Sequence, residues 1–186
     1  MGHHSITDWD FESVNWTLDG AVYHTAAPSL SATEQLAALV KDATTGALSN
    51  GRLILWVRSN EISLLGMYFR NQIADGGADA VDTYYADITA TTCRLFCFGN
   101  SFSETKDMTW VWAVNTWYKL RFSWWTSAER LYFRIERWTG AAWVTLGGDA
   151  DTDFEDVNDH YKDNPVNRCG VRLLDDLWID DLEVWG

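Results

Sequence analysis

Basic residues and prolines are scarce in this sequence of 186 residues. It has 14 Lys and Arg against 27 Asp and Glu, a formal net charge of −13 at pH 7. Because neutralisation of phosphates by Lys and Arg supplies most of the affinity for nucleic acid, this balance argues against a nucleic-acid partner. With 2 prolines and no low-complexity tract, nothing in the sequence divides it. The length suits one domain, and we predict a single domain over residues 1–186.

Long apolar runs and targeting signals are also lacking. No apolar run reaches the roughly 18 residues of a membrane-spanning helix, so we predict no membrane segment. The N-terminal MGHHSITD has no basic region followed by an apolar segment, which predicts synthesis in the cytoplasm without a signal peptide. Cysteines number 3, and Cys93 and Cys97 on one predicted strand are about 13 Å apart, too far for a disulfide. Reduced, buried thiols are the simplest interpretation.

Aromatic residues, by contrast, are abundant. They make up 15% of the chain, with 12 Trp, and hydrophobic residues make up 47%, which argues against disorder. Short runs of alternating apolar and polar residues, separated by turn residues, predict an all-β fold. We predict strands near residues 9–13, 20–25, 52–58, 62–70, 82–89, 92–98, 108–113, 116–125, 130–138, 142–146, 169–174 and 177–185.

Two segments invite other interpretations. A Ser31-x-x-Glu34 capping box followed by leucines at helical spacing predicts a short helix over 32–43, whereas a strand over 36–41 suits the neighbouring pattern, and both stay open. The acidic segment from Asp149 begins like a calcium-binding loop but lacks the glycine and the glutamate that such a loop needs. We predict a solvated loop there, ending near Arg168.

One hairpin can be placed in register from the sequence. A four-residue loop over 126–129 pairs Trp125 with Arg130. The apolar pairs that must face the core are then Trp124 with Leu131, Phe122 with Phe133, and Leu120 with Ile135. A slip of one residue would turn all three pairs outward, so this register is strongly specified.

The other face of the same hairpin is polar and aromatic. Its pairs are Trp117 with Trp138, Lys119 with Glu136, Arg121 with Arg134, and Ser123 with Tyr132. Because like charges directly across a ladder destabilise it, the arginine pair needs an anion. That anion is either an acidic side chain from a neighbouring strand or loop, or a ligand or partner. The second interpretation gives the candidate binding residues Trp117, Arg121, Trp125, Tyr132, Arg134, Glu136 and Trp138.

The two ends of the chain carry a family resemblance. Asp10-Phe11-Glu12-Ser13 is followed by Trp16 and by Ala27-Pro28-Ser29-Leu30, and the last strand reads Trp178-Ile179-Asp180-Asp181-Leu182-Glu183-Val184. This pattern resembles the concanavalin A-like jelly-roll superfamily, which includes laminin-G-like domains and jelly-roll carbohydrate-binding modules. The resemblance implies a two-sheet antiparallel jelly-roll β-sandwich with little or no helix.

The resemblance also implies a structural calcium ion. In jelly-roll modules the opening acid and the closing Asp pair often share one, and the matching residues are Glu12, Asp180 and Asp181. Strand alternation places Asp180 on the same inward face as Trp178, and a buried carboxylate must be hydrogen-bonded or metal-bound. The alternatives are a carboxylate that binds backbone amides, or a bulge that turns it outward.

Catalysis is not expected, although the superfamily includes glycosidases and polysaccharide lyases. A retaining glycosidase needs two carboxylates about 5 Å apart, which on one strand means Glu-x-Asp-x-Glu or a bulged variant of it. In the closing strand, Trp178 or Ile179 occupies the position of the first Glu. A lyase would want an inward His with Tyr and Arg, yet no His stands near the Tyr68–Ala74 segment. His24 and His160 fall in a terminal strand and in the acidic loop.

Non-catalytic functions therefore remain. Jelly rolls of this superfamily that lack a signal peptide resemble tailed-phage virion proteins, such as capsid decorations, head fibres and tail adhesins. We expect a lectin-like protein on the virion surface that assembles with other subunits and can bind polysaccharide. The alternative is a stand-alone carbohydrate-binding module, and after it a polysaccharide-degrading glycosidase or lyase.

Overall fold

The chain folds into β-strands and connecting loops. The computed structural model describes residues 10–11, 16–24, 29–32, 37–41, 50–60, 65–71, 84–97, 103–107, 111–125, 130–146, 151–155, 168–173 and 177–185. Within these ranges it contains strands and no helix. Consistent with this, none of the described segments is a long apolar helix of the kind that crosses a membrane.

The strands are labelled β1 to β15 in chain order. Their bounds are β1 Asp10–Phe11, β2 Trp16–Asp19, β3 Ser29–Ala32, β4 Ala37–Lys41, β5 Asn50–Ser59, β6 Leu65–Asn71, β7 Tyr84–Ile88, β8 Thr92–Cys97, β9 Ser103–Asp107, β10 Tyr118–Trp125, β11 Arg130–Trp138, β12 Trp143–Thr145, β13 Asp151–Glu155, β14 Arg168–Leu173 and β15 Leu177–Trp185. Because residues 37–41 form β4, the strand interpretation of that segment is confirmed and the helix over 32–43 is wrong.

The strands form two antiparallel sheets. One has the order β1-β4-β14-β6-β7-β8-β9, and the other has the order β12-β11-β10-β5-β15-β3-β2. A further strand, β13, pairs with β11 beside β12, so two short strands share the far side of β11. The predicted all-β, two-sheet antiparallel architecture is confirmed.

The β10–β11 hairpin has the predicted register. The ladder pairs Trp125 with Arg130 and continues without a shift to Tyr118 opposite Arg137. Phe122 and Phe133 face each other with ring centroids 4.5 Å apart, and both are fully buried. Alternation of buried apolar residues with polar ones fixed this pairing, as expected for a strand with one face in the core.

The core lies between the two sheets. Its fully buried members include Leu53, Leu55, Val57, Leu120, Phe122, Phe133, Ile135 and Ile179 from one sheet, and Ala86, Cys93 and Leu95 from the other. Each large apolar side chain contributes about 2 kcal/mol by leaving water. Cys93 is a free thiol whose pKa is raised by burial, as the sequence suggested. The side chains of Cys97 and Cys169 lie outside the described part.

Three predicted loops and strands are placed differently in the structure. The strand predicted over 20–25 is wrong: β2 ends at Asp19, whose Oδ1 accepts hydrogen bonds from the N–H groups of Ala21 (2.7 Å) and Val22 (3.2 Å) and turns the chain out of the sheet. The solvated loop predicted after Asp149 is wrong where 151–155 form β13. The strand predicted over 108–113 is not found over 111–113, and β9 lies earlier in the chain.

Candidate functional site

One face of the eight-stranded sheet is turned away from the core and carries aromatic and charged side chains. We call it the outer face. Its first row across five strands, from β15 to β12, reads Asp180, Trp56, Lys119, Glu136 and Thr145. The second row includes Trp178 opposite Arg58 and Trp138 opposite Trp143. The third row reads Ile54, Arg121 and Arg134, with Asp151 of β13 next in the ladder.

A charged cluster forms around Glu136 on this face. Its carboxylate lies 2.6 Å from Lys119 Nζ, 3.8 Å from an Arg121 nitrogen and 3.6 Å from an Arg134 nitrogen. Arg134 also donates a hydrogen bond to Thr145 Oγ1. The shared carboxylate thus comes from β11 itself and accounts for two arginines facing each other across the ladder. Three of the predicted binding residues, Arg121, Arg134 and Glu136, are brought together here.

A tryptophan cluster lies beside the charged cluster and consists of Trp117, Trp138 and Trp143. Trp138 and Trp143 have ring centroids 5.3 Å apart, and Trp138 N–H donates to the carbonyl of Trp117 at 2.9 Å. Lys119 Nζ lies 5.0 Å from the ring centre of Trp143, within the range of a cation–π contact. The cation and the aromatic rings therefore form one continuous surface.

His24 enters the tryptophan cluster from outside the sheet. Its ring centroid is 4.9 Å from Trp138, 4.9 Å from Trp143 and 5.8 Å from Trp117. Burial lowers the pKa of His24; the charge of Asp180 opposes this shift and that of Lys119 adds to it. The imidazole is therefore neutral at pH 7.

Sequence reasoning missed His24, because it assigned this histidine to a terminal strand. Its described partners are more than 90 residues away in sequence: its N–H donates to Oδ2 of Asp180, and its ring contacts Trp117, Trp138 and Trp143. No local pattern signals contacts of that range. These contacts form only in the folded protein, where His24 lies against the outer face of the sheet.

Asp180 and Trp178 lie on the outer face rather than on the core face. The neighbouring Leu177 and Ile179 are the core residues of this strand, with 1% and 0% exposed. The predicted inward orientation of Trp178 and Asp180 is therefore wrong. Asp180 is nevertheless buried, with 3% exposed, and it accepts a 2.6 Å hydrogen bond from the backbone N–H of His24. This matches the alternative of a carboxylate bound to backbone amide.

Trp178 contacts a carboxylate and a guanidinium group on the outer face. Trp178 Nε1 donates to Oδ2 of Asp19 at 2.8 Å, and the Arg58 guanidinium lies 5.8 Å from the Trp178 ring centre. The hydrogen bond from Ala21 N–H, followed by the one from Trp178, lowers the pKa of Asp19.

Between Asp180 and Glu183 the register with β5 shifts by one residue, a β-bulge.

The remaining predicted site residues are only partly placed. Trp117 is 7% exposed, so it supports the surface rather than presenting a face to solvent. Trp138 and Tyr132 are half-buried, and Tyr132 lies opposite Ser123 as predicted. Trp125 pairs with Arg130 as predicted, and its side chain lies outside the described part of the structure.

The predicted calcium ligands are not assembled within the described residues. Glu12 and the side chain of Asp181 lie outside the described part. Among the side chains that are described, no group of three or more His, Cys, Asp or Glu residues could hold a metal ion. The calcium site stays a prediction from the resemblance.

Comparisons with known proteins identify the fold. No family model matches the sequence, and no curated protein matches it. Among solved structures, carbohydrate binding module CBM66 from Bacillus subtilis aligns over 96% of this chain and 96% of its own, with a TM-score of 0.54 and 11% identity. Winged bean acidic lectin in complex with methyl-α-D-galactose aligns over 98% and 96%, with a TM-score of 0.58 and 10% identity.

An enzyme shares the same architecture. The GH131 β-glucanase catalytic domain from Podospora anserina aligns over 94% of this chain and 84% of its own, with a TM-score of 0.52 and 10% identity. Together with the two antiparallel sheets, these similarities show that the chain has the fold of a two-sheet jelly-roll β-sandwich. At such low identity they show the fold alone, since this fold hosts both binding and catalysis.

Proposed function

We propose that this protein is a non-catalytic, lectin-like jelly roll that binds a glycan on its outer face. The observation that carries the proposal is the tryptophan cluster lying directly beside the charged cluster of Glu136, Lys119, Arg121 and Arg134. Aromatic rings offer flat apolar faces for sugar rings. Guanidinium and carboxylate groups supply the donors and acceptors that sugar hydroxyls need. Trp117 and Glu136 are buried, the other members of the two clusters are half-buried, and the clusters are adjacent.

The named ligands of the structural neighbours support a sugar as the ligand class. One neighbour is a carbohydrate-binding module, and another is a lectin in complex with methyl-α-D-galactose. The outer face differs from an ordinary solvated sheet face in its three contacting tryptophans, since Trp143 lies 5.3 Å from Trp138 and 6.2 Å from Trp56.

Asp180 and Glu136, two buried acids of the outer face, lie too far apart to act together in glycoside hydrolysis. Asp180 and Glu136 share a row, but β5 and β10 lie between their strands. Three strand spacings separate their backbones by about 14 Å. Retaining glycosidases place the two carboxyl groups about 5 Å apart and inverting ones up to roughly 9.5 Å. Glu136 is also ion-paired with Lys119.

The arrangement of His24 and Tyr132 likewise favours binding over a lyase reaction. His24 packs against Trp138, and Tyr132 lies six positions earlier on β11. At about 3.3 Å per residue the Tyr132 and Trp138 backbones are about 20 Å apart. Among the described residues, His24 and Tyr132 are thus too far apart to act together in a lyase reaction. A role on a virion surface, expected from the sequence resemblance, would define where such a glycan-binding protein acts.

The proposal is tested with a glycan array and with affinity gels containing polysaccharide. We expect the wild type to bind at least one glycan, and Trp138→Ala to lower the affinity about tenfold, equivalent to about 1.4 kcal/mol. Val144→Ala is the matched control, because Val144 neighbours Trp143 on β12 and is exposed.

A second pair of variants tests the charged cluster. Arg134→Gln should weaken glycan binding, whereas Arg137→Gln, an exposed arginine on the same strand, should leave it unchanged. Absence of binding to every polysaccharide, or equal binding by Trp138→Ala and the wild type, would overturn the proposal.

A further inference from the structure

The segment 20–24 runs from the end of β2 onto the outer face, as far as β15. It begins at the end of β2, the last strand on one side of the sheet. At its far end, His24 N–H is bound to Asp180 of β15 and the His24 ring contacts Trp138 of β11 and Trp143 of β12. One residue therefore bridges strands that have β5 and β10 between them.

The ring of His24 takes the position that a ligand ring would need. It stands 4.9 Å from both Trp138 and Trp143, at angles of 89° and 42° to their planes. Trp117, at 5.8 Å, is 7% exposed with the segment in this place. The tryptophan cluster is thus partly covered by a side chain of the same protein: Trp117 is buried, and Trp138 and Trp143 are half-buried.

The contacts that hold His24 leave one polar atom unsatisfied. His24 Nδ1 is buried and has no hydrogen-bond partner among the described residues. A buried, unsatisfied polar atom costs about 1–3 kcal/mol. The segment leaves β2 at Gly20. No atom lies within 4 Å of the position that a Cβ of this residue would take, so the chain has no close neighbours there. Displacement of the ring would return Nδ1 to water and offset part of the lost packing.

We propose that His24 is a displaceable plug of the tryptophan cluster, and that segment 20–24 is a gate which a glycan must move to stack on Trp138 and Trp143. The inference rests on the proposed function for the identity of the ligand. The covering of the cluster by His24 does not depend on it. In the closed state the segment is held by Asp180 at its end and by the Asp19 turn at its start. The apparent affinity for glycan is then reduced by the fraction of molecules that are closed.

The first experiment needs no ligand. Acrylamide quenching of tryptophan fluorescence is measured for the wild type, His24→Ala, His24→Phe and Tyr23→Ala. We expect stronger quenching in His24→Ala, because the tryptophan cluster becomes accessible. Quenching should stay at the wild-type level in His24→Phe, whose ring still fills the space. Tyr23→Ala is the control from the same segment, since Tyr23 is already 45% exposed. Unchanged quenching in His24→Ala, in a variant with the wild-type near-ultraviolet circular dichroism spectrum, would overturn the plug.

The second experiment uses a glycan that the wild type binds. His24→Ala should bind it about tenfold more tightly, as expected when a mostly closed state is removed. Weaker binding by His24→Ala would make His24 a ligand contact and overturn the gate. If no glycan binds but quenching rises in His24→Ala, the proposed function fails and the plug stands. If glycan binds through Trp138 while quenching is unchanged, the plug fails and the proposed function stands.

Discussion

The backbone N–H of His24 donates a 2.6 Å hydrogen bond to Oδ2 of Asp180, which lies 156 positions later in the sequence. This bond joins a loop at one end of the chain to the closing strand at the other. Asp180 is 3% exposed, so its charge depends on such donors for stabilisation. The same carboxylate therefore stabilises the fold and positions the segment that covers the tryptophan cluster.

Replacement of Asp180 tests this link. Asp180→Ala removes a hydrogen bond to a charged group, and we expect the free energy of unfolding to fall by about 1.5–3 kcal/mol. Urea denaturation measures the loss. Asp87→Ala is the control, because the Asp87–Arg94 pair lies at a partly exposed position where such pairs contribute less than about 1 kcal/mol. Equal stability of the Asp180 and Asp87 variants would contradict the assignment.

Glu136 is expected to be the most sensitive position of the charged cluster. Glu136→Gln leaves Lys119, Arg121 and Arg134 without their common carboxylate, and we expect a loss of about 3 kcal/mol, the lower end for an uncompensated buried charge. Denaturant unfolding of Glu136→Gln and of Glu136→Gln with Lys119→Met gives the test. The second change removes one of the repelling cations and should restore part of the stability. A double variant less stable than the single one would refute the electrostatic explanation.

The stability of the protein should decrease in mild acid because of His24. Burial lowers the pKa of His24 below its ordinary value of 6.5, so the unfolded chain takes up the proton first as the pH falls. The stability that comes from the neutral ring is complete above about pH 6.5 and is lost as the pH drops through the lower pKa of the folded state. The Asp180 charge limits the loss, and the Lys119 charge increases it.

Urea titrations at a series of pH values compare the wild type with His24→Phe. We expect a smaller decrease of stability with falling pH in His24→Phe, which has no proton to bind. The other histidines are common to both proteins and cancel in the comparison. Parallel curves for the two proteins would show that His24 does not titrate in this range.

The calcium site is tested by thermal unfolding. We expect added calcium to raise the melting temperature, and the shift to increase with calcium concentration, because an ion that binds only the folded state stabilises it by mass action. EDTA should reverse the shift, and Glu12→Gln together with Asp181→Asn should abolish the response to calcium. Asp107→Asn, an exposed carboxylate of β9, is the control. If neither calcium nor EDTA changes the melting temperature, the protein has no structural calcium site.

The sequence predicted the centre of the sandwich because local alternation decides it. In β10 and β11 one face must be buried, and only one register buries Phe122 with Phe133 and Leu120 with Ile135. The same register correctly predicted that Arg121 lies opposite Arg134 on the outer face. The source of the compensating carboxylate was not predicted, because the sequence suggested an acid from a neighbouring strand or loop, or a ligand. In the structure it is Glu136, two residues beyond Arg134 on the same strand.

Features that depend on distant contacts were not predicted. The Ala21-Val22-Tyr23 run has the composition of a strand, but the hydrogen bonds of Asp19 turn it over the sheet. β13 resembled a solvated loop because of its acidic residues. Sequence reasoning missed the alternating pattern of residues 151–155, which is typical of an edge strand. In the structure this strand places Phe154 opposite Leu131.

The bulge between Asp180 and Glu183 makes the closing strand tolerant of a change in length. Across the bulge, β15 has one residue more than β5, yet Asp180 still pairs with Trp56 and Val184 with the buried Leu53. A chain lacking residue 181 would therefore keep Asp180 on the outer face and Val184 in register with Leu53 without any further adjustment. Elsewhere in this sheet, a one-residue deletion would exchange the two faces of a strand. The bulge is thus a place where this sheet can gain or lose a residue and retain its outer face.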